Sequence, residues 1–324
     1  MKLAAVLPHF EVFGGVRRYI EIGNELSKRG HDFVIFTPDG LPPRWLDFKG
    51  KTSPFSHLEE EIFDACFCSE YSVLDQFERL KAKQKFFYFL LEGHKKEREV
   101  MRKDFVFLGN SEGICRRIEK RYGVRCLKLA GGVNLLTFYP SQREGSKDEF
   151  RILCYGRLSR KRKGISHVIR AAESLYKKHP NLKLILFDSL VGRGRIDSPP
   201  VLPIKIPYEF HLNLPQEKMA WLYSQADVFV SAERRAGWSN TTAEAMACKI
   251  PVICTKSGTQ DFAFHQKTAL VVRFPYSFFL KRAIKKLLYN ENLRHRLACA
   301  GYERIKSFTW SSLVDRLEEI LGLR

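Results

Sequence analysis

Short apolar runs alternate along the chain with segments in which apolar residues recur every three or four positions. The first run, LAAVL at 3–7, is typical of a buried parallel strand, and the helical pattern after it ends at Gly30. A second run, HDFVIFT, completes a strand–helix–strand unit. Further strands are predicted at 63–67, 86–90, 105–109 and 125–129, with a helix at 111–122. This alternation predicts an α/β fold with a parallel sheet.

The same alternation begins again after a polar segment at 140–149, PSQREGSKDE, which has the composition of an interdomain linker. Strands are predicted at 151–155, 182–187, 227–232 and 251–255, and helices at 165–176, 215–225 and 241–248. Helical segments finish the chain, the last of them starting near Trp310. We therefore expect two Rossmann-like halves that face each other across a cleft. Ligands of such sheets bind at the carboxyl ends of strands, which singles out loops 8–15, 156–164 and 232–241.

The composition excludes a disordered or fibrous protein, since 44% of the 324 residues are hydrophobic and 28% are charged. The eight cysteines are scattered without a CxxC pair, so we expect reduced thiols and no zinc site. No apolar run approaches the ~20 residues that span a bilayer, and the first residues do not have the pattern of a signal peptide. These features predict a cytoplasmic protein.

The charge is unusual, because 55 Lys and Arg stand against 36 Asp and Glu, a net charge of +19. Such an excess favours anionic partners, namely nucleotides, phosphorylated sugars, acidic lipid headgroups or nucleic acid. Aromatic residues do not interleave with the basic runs as a base-stacking surface requires, so nucleic acid is not an expected partner.

The three strand-end loops carry residues that suit an anionic ligand. Gly14 and Gly15 open the first helix, either as a close approach to an anion or as a tight turn that binds nothing. Loop 156–164 holds Arg157, Arg160, Lys161, Arg162 and Lys163, and this density of cations indicates phosphate unless the loop is simply solvated. In AGWSNTTAEAMA, at 236–247, polar residues begin a helix whose first turns include Glu244. Glu244 is either a favourable charge near that helix start or a ligand for vicinal hydroxyls.

These stretches resemble the family 4 glycosyltransferases of the GT-B fold. The matching segments are FGGVRRY and NELSKRGH near the start, AGGVNLLTFYP closing the first half, and GRLSRKRKG, LYSQADVFVSA and AEAMACKIPVIC in the second half. They occur in the family's order and cover nearly the whole chain. The resemblance implies a first domain at 1–143, a donor-binding domain at 149–305, and a terminal helix at 306–324 that crosses back to the first domain.

The resemblance also implies an activity and a set of site residues. The expected reaction is retaining, metal-independent transfer of a hexose-type sugar from a nucleoside-diphosphate sugar to a glycan or lipid-linked acceptor, in polysaccharide, glycolipid or glycoconjugate synthesis. Arg157 and Lys163 match the pair that holds the donor diphosphate, and Glu244 matches the second Glu of the E-x7-E motif, which binds the ribose. Further donor contacts are expected at Gly14, Gly15, Gly237, Trp238, Ser239, Asn240 and Thr241. No cofactor is expected.

One position departs from the family pattern. The first Glu of E-x7-E, which contacts the transferred sugar, falls at Ala236. Either Glu233 reaches the sugar in its place, or the site takes a different sugar through backbone and Trp238 contacts, or transfer is weak or lost. The last case leaves a non-catalytic nucleotide-sugar binder or scaffold as the alternative function.

Acceptor and membrane contacts are expected in the first half. His94, with Glu92 beside it, follows the strand at 86–90 and is either an acceptor-site group or an exposed loop residue. Basic runs at 79–85, 94–103 and 116–128 indicate peripheral attachment to the inner, anionic face of a membrane, or serve solubility alone.

Overall fold

The computed structural model describes residues 1–91, 93–146, 148–189 and 201–323. These residues form two units. The first comprises residues 1–132 and 310–323, and the second comprises 133–189 and 201–309. Within the described residues, no helix is long and apolar enough to cross a bilayer.

The first unit is built on a parallel sheet flanked by helices. Its strands are β1 (Lys2–Val6), β2 (Asp32–Thr37), β3 (Lys51–Pro54), β4 (Ile62–Cys68), β5 (Lys81–Phe89), β6 (Val106–Gly109) and β7 (Cys126–Lys128). The helices are α1 (Gly14–Lys28), α2 (Leu74–Arg79), α3 (Glu97–Val100), α4 (Glu112–Tyr122) and, from the end of the chain, α10 (Trp310–Ile320). The strand order is β3-β2-β1-β4-β5-β6-β7 in the described residues. Apolar side chains cover both faces, which is why these strands appear as continuous apolar runs.

The second unit repeats this plan. Its strands are β8 (Phe150–Tyr155), β9 (Leu182–Asp188), β10 (Tyr208–Leu212), β11 (Val228–Ser231), β12 (Val252–Cys254) and β13 (Leu270–Val271). The helices are α5 (Ile165–Tyr176), α6 (Met219–Ser224), α7 (Asn240–Ala247), α8 (Ser277–Leu288) and α9 (Glu291–Ile305). The described strands lie in the order β10-β9-β8-β11-β12-β13 and all pair in parallel. The prediction of two Rossmann-like α/β domains is confirmed.

The division between the units differs from the expected domain boundaries. Residues 133–143 pack with the second unit, because the Ser141 amide donates to Ser224 Oγ at 2.9 Å and Phe138 packs edge-on against Tyr223. Val133 in turn pairs with Thr309, so the residues just before α10 also belong to the second unit. The first unit therefore ends at Gly132 and resumes at Trp310.

Helix α10 returns to the first unit, where its apolar side chains join the core and Arg29 makes several polar contacts to it. Arg29, just past the end of α1, contacts Asp315 and Glu318 through Nη1 at 2.9 Å each and donates to the Ser311 carbonyl through Nη2 at 2.8 Å. Glu318 is only 8% exposed, so this contact compensates a buried carboxylate. Arg29 therefore ties the last helix of the chain to the first.

We expect Arg29→Ala to lower the free energy of unfolding by about 2–3 kcal/mol, since it leaves Glu318 buried with less compensation. Arg316→Ala is the matched control on the same helix, because Arg316 pairs with Glu319 and both side chains are 49% exposed. That exposed pair contributes about 0.5 kcal/mol or less. Urea denaturation measures both, and equal effects of the two substitutions would contradict this account of α10.

Candidate functional site

The carboxyl ends of three neighbouring strands of the second unit bring charged residues together. Arg157 follows β8, Asp188 ends β9, and Glu233 follows β11. Strand β8 lies between β9 and β11, so the residues that leave these strands meet at one edge of the sheet. This is where parallel α/β sheets bind their ligands.

Arg157 and Asp188 form a bidentate ion pair. Nε of Arg157 donates to Asp188 Oδ2 at 2.7 Å, and Nη2 donates to Oδ1 at 2.6 Å. The two side chains are 10% and 5% exposed. Burial lowers the pKa of the Arg157 guanidinium, but the hydrogen bonds and charge of Asp188 outweigh it, and the pKa lies above its ordinary value. Arg157 is thus a fixed, permanently charged group.

Tyr155 joins this pair to the second cation of the loop. Its hydroxyl donates to Asp188 Oδ1 at 2.6 Å. Arg157 Cζ and Lys163 Nζ lie 5.7 Å and 5.4 Å from the centre of its ring. Both distances are within the range of cation–π attraction. One half-buried tyrosine therefore contacts both of the cations expected to hold a diphosphate.

Lys163 forms the second ion pair of the site, with Glu233. Lys163 Nζ lies 2.8 Å from Glu233 Oε1, and the Glu233 side chain is 3% exposed. The turn that carries Lys163 ends at Gly164, whose φ of 67° is in the left-handed region and which packs directly on the backbone of Ala232. A side chain at Gly164 would collide with that backbone, so glycine is required to bring Lys163 and Glu233 together.

The loop that follows β11 is tied down along its length. The Glu233 carbonyl accepts a hydrogen bond from Thr255 Oγ1, and the Arg234 amide donates to the Arg162 carbonyl at 2.8 Å. The Ala236 amide donates to Ser257 Oγ at 2.8 Å. Glu233, Lys163 and Tyr155 consequently line one small pocket, together with Ser231 and Thr241.

Helix α7 begins at this pocket. Ser239 precedes its first residue, Asn240, and makes no side-chain capping bond to the helix, because its hydroxyl is 2.7 Å from that of Thr242. The first N–H groups of α7 thus have no cap from that side chain. One turn further on, Glu244 is 7% exposed and accepts a hydrogen bond from Tyr223 at 2.7 Å. Tyr223 fixes the orientation of that carboxylate.

Gly237 and Trp238 come near the end of the loop that follows β11. The Trp238 ring packs on Phe262 and Phe308, with ring centres 4.7 Å and 5.3 Å away, and its buried Nε1 has no hydrogen-bond partner among the described residues. The Gly237 carbonyl and the Ala236 side chain both approach Gly258. Ala236 thus faces another loop of the second unit, and its position holds no carboxylate.

The predicted residues of the first half lie in the first unit. Gly14 and Gly15 begin α1 without a side-chain cap, and a Cβ on Gly15 would meet the Leu90 side chain at 3.1 Å. His94 is exposed and its ring stacks on Tyr71, with centres 3.9 Å apart. Burial and the charges of Lys95 and Lys96 lower the pKa of His94. Glu92 lies outside the described residues.

Three site residues were missed by the sequence reasoning: Asp188, Tyr155 and Tyr223. Asp188 had a recognisable signal, because it is an acidic residue placed directly after the apolar run LKLILF and so at a strand end. Tyr155 and Tyr223 had none, since both are in segments that predict ordinary core positions. The described residues hold no group of three or more His, Cys, Asp and Glu arranged for a metal ion.

The sequence model of one family, described as "Glycosyl transferases group 1", matches residues 138–304, slightly more than half of the chain. The chain belongs to the group 1 glycosyltransferases. Among its relatives is the capsular polysaccharide biosynthesis glycosyltransferase CapM of Staphylococcus aureus, which is 29% identical over 184 residues, 53% of this chain and 46% of CapM. This group 1 glycosyltransferase spans about half the length of the curated relatives it matches.

Solved structures share the fold over the whole chain. Sucrose-phosphate synthase of Thermosynechococcus elongatus has a TM-score of 0.77 at 16% identity and covers 99% of this chain and 98% of its own. HepE of Anabaena, solved in complex with UDP-glucose, has a TM-score of 0.75 at 14% identity and covers 99% of both chains. The GT-B fold expected of this group 1 glycosyltransferase is confirmed.

The Arg157–Asp188 pair predicts a strong stability effect. Asp188→Ala and Arg157→Ala should each lower the free energy of unfolding by about 3 kcal/mol, because either leaves a buried charge without its partner. The double variant should lose clearly less than the sum of the two. Urea denaturation measures all three.

The control is Glu209→Ala, which breaks the more exposed pair that Glu209 forms with Lys183 at 2.6 Å. It should cost about 1 kcal/mol or less. Strict additivity of the Arg157 and Asp188 substitutions would show that the two side chains are not coupled.

Proposed function

We propose that this chain is a retaining, metal-independent glycosyltransferase that moves a hexose-type sugar from a nucleoside-diphosphate sugar to an acceptor hydroxyl. The observation that carries the proposal is the pair of cations, Arg157 and Lys163, fixed at a strand end beside the start of α7. The family supports the reaction type, and the UDP-glucose bound to HepE supports the donor class. CapM, which is named for capsular polysaccharide biosynthesis, supports a role in the synthesis of a polysaccharide.

The diphosphate would be held by charge that is already oriented. As the sugar bond breaks, negative charge builds on the leaving phosphate, and preorganised donors stabilise it without reorganisation. Arg157 cannot turn away, because Asp188 holds two of its nitrogens. The N–H groups at the start of α7, at Asn240 and Thr241, would add the positive end of a helix dipole. The departing phosphate would take the acceptor proton, so the leaving group itself completes the transfer.

Glu233 would contact the transferred sugar, a function that Ala236 cannot perform because it has no carboxylate. Its carboxylate is buried in the same pocket as Lys163 and Thr241. Before the donor binds, Asp188 and Glu233 balance the charges of Arg157 and Lys163. A diphosphate that takes Lys163 would release Glu233 from its ion pair, and the freed carboxylate would accept hydrogen bonds from the sugar hydroxyls. The binding of phosphate and the contact with the sugar would therefore be linked.

The remaining donor contacts would come from Glu244 and the glycine loop. Glu244, oriented by Tyr223, would accept hydrogen bonds from the ribose hydroxyls. Gly14 and Gly15 stay the predicted contact of the first unit with the donor diphosphate, and His94 the predicted contact with a glycan or lipid-linked acceptor. Gly237, Trp238 and Ser239 stay predicted donor contacts.

The alternative function is a non-catalytic nucleotide-sugar binder or scaffold, which Ala236 favours. Such a protein would bind a nucleoside diphosphate at the same residues as a transferase would. It would not need the carboxylate of Glu233, because it transfers no sugar. Nucleotide binding without donor hydrolysis or transfer would support that alternative.

Lys163→Ala should weaken nucleoside-diphosphate binding about tenfold to a hundredfold, because a charge-assisted contact to phosphate is lost. Lys161→Ala is the matched control in the same turn, since Lys161 is exposed. A thermal-shift titration with UDP, GDP, dTDP and ADP measures both variants, and a saturating ligand adds about 2.7 kcal/mol at 100 times its dissociation constant. Lys163 is preferred to Arg157 here because its side chain is the more exposed of the two, at 24% against 10%, so its loss should destabilise the fold less. Equal weakening by both lysine variants would show that the loop attracts the nucleotide through its overall positive charge and that Lys163 makes no specific contact.

Glu233→Gln should lower kcat for sugar transfer by about a hundredfold while affinity for the free nucleoside diphosphate stays equal or rises. The physical reason is that glutamine removes the carboxylate that competes for Lys163, and with it the charged contact to the sugar. Steady-state transfer and nucleotide titration measure the two effects on one preparation. Glu209→Gln is the control, because Glu209 also pairs with a lysine but lies outside the residues that line the pocket. An unchanged kcat in Glu233→Gln would remove Glu233 from the reaction.

A further inference from the structure

Helix α8 presents an unusual outer face. Its inner face buries Leu280, Ile284 and Leu287 in the core of the second unit. The opposite face carries Phe278, Arg282 and Lys285, with Phe274 just before the helix and Tyr289 just after it. These five residues are called the α8 stripe.

Four of the five residues of the α8 stripe share one side of the helix because of their spacing. Residues 278, 282, 285 and 289 are four, three and four positions apart and so lie on one side of a helix. The three aromatic side chains are well exposed, Phe274 at 40%, Phe278 at 60% and Tyr289 at 64%. Large apolar groups exposed in a row on a soluble surface indicate a binding face.

Cations lie over these rings. Arg282 Cζ is 5.7 Å from the centre of the Phe278 ring, and Lys285 Nζ is 5.8 Å from that of Tyr289. Arg273 Cζ lies 5.1 Å from the Phe274 ring. Among the residues that the structure describes, none of Arg273, Arg282, Lys285 and Lys286 forms an ion pair. Their charge is therefore available to an anionic partner.

The sequence around α8 explains why these cations have no carboxylate partner. Residues 262–290 contain six Lys and Arg and no Asp or Glu. Over the second unit, residues 133–189 and 201–309, 28 Lys and Arg stand against 13 Asp and Glu, which accounts for +15 of the net +19. The charge excess of the chain is thus concentrated in this unit.

The basic runs of the first unit are different. Several of their cations are paired with carboxylates, Lys83 with Asp64 at 2.7 Å, Lys103 with Glu78 at 2.6 Å and Arg117 with Glu97 at 2.6 Å. The sequence alone placed a membrane-facing surface on these runs. Pairing reduces the charge that these three cations offer to an anionic surface.

We propose that the α8 stripe binds the anionic headgroups of a lipid bilayer, with its aromatic rings in the interfacial layer. Rings at both ends of a row of cations suit a flat interface, where aromatic side chains settle at headgroup depth and Lys and Arg meet phosphate. The apolar face of α8 is committed to the core, so the helix would lie on the membrane surface. A second copy of this chain is a poor occupant, because two such basic faces repel each other.

The α8 stripe also lies near the candidate donor site. Tyr276, two residues before Phe278, has Arg234 Cζ 5.5 Å from the centre of its ring. Arg234 directly follows Glu233, the carboxylate of the pocket. Attachment through the α8 stripe would therefore hold this loop close to a bilayer surface.

Vesicle sedimentation tests the proposal on the full chain. The protein should bind vesicles of phosphatidylcholine mixed with phosphatidylglycerol, should not bind phosphatidylcholine alone, and should be released by salt. Arg282→Glu with Lys285→Glu should weaken binding about twenty-fivefold or more, at about fivefold for each cation. Phe278→Ser with Tyr289→Ser keeps every charge and should still weaken binding severalfold.

The matched control is Arg98→Glu with Arg102→Glu, an equal charge change at two exposed residues of the first unit. It should leave vesicle binding within about twofold, since those residues lie outside the α8 stripe. Unaltered thermal unfolding and UDP response show that each variant is folded with its donor site intact. Equal losses in the two charge variants, no effect of the serine variant, or no binding to phosphatidylglycerol would each overturn the proposal. If the α8 stripe binds an acidic protein and not a bilayer, we expect no binding to phosphatidylglycerol vesicles.

Discussion

The arrangement of the strand-end loops in the second unit depends on one constraint, which is that a buried charge must have a counter-charge. Arg157 with Asp188, and Lys163 with Glu233, meet that requirement around the ring of Tyr155. Each pair joins residues that leave different strands, so the loops after β8, β9 and β11 are held relative to one another. Because removing one partner costs several kcal/mol, the pairs keep the site in one arrangement while no ligand is bound.

The sequence predicted the strands whose apolar runs are buried on both faces, and it predicted Arg157 and Lys163 because cations cluster at a strand end. It could not predict Asp188 as the partner of Arg157, since that contact depends on β9 lying beside β8. Three short strands, β3, β10 and β13, were also missed. β3 has the sequence KTSP and β13 has two residues, and neither is long or apolar enough to show periodicity.

Ala236 shows why motif spacing predicts a site less well than loop geometry does. Counting eight residues back from Glu244 finds no carboxylate, although a buried one stands three residues earlier. The bonds from Thr255 and Ser257 fix the path of the loop, and that path decides which side chain enters the pocket. These bonds join segments about twenty residues apart, so they have no local signature. A carboxylate can therefore enter the pocket from a position that the motif spacing does not indicate.

The net charge of the chain indicated anionic partners, but only the structure separates two kinds of basic surface. Arg157 and Lys163 of the candidate site have carboxylate partners, which orient them and balance their charge. Cations of the α8 stripe have aromatic partners, which hold the side chain and leave the charge uncompensated. The first arrangement suits a ligand that must be positioned to within a bond length. The second suits a broad, laterally mobile surface of charge, because attraction there needs no single geometry.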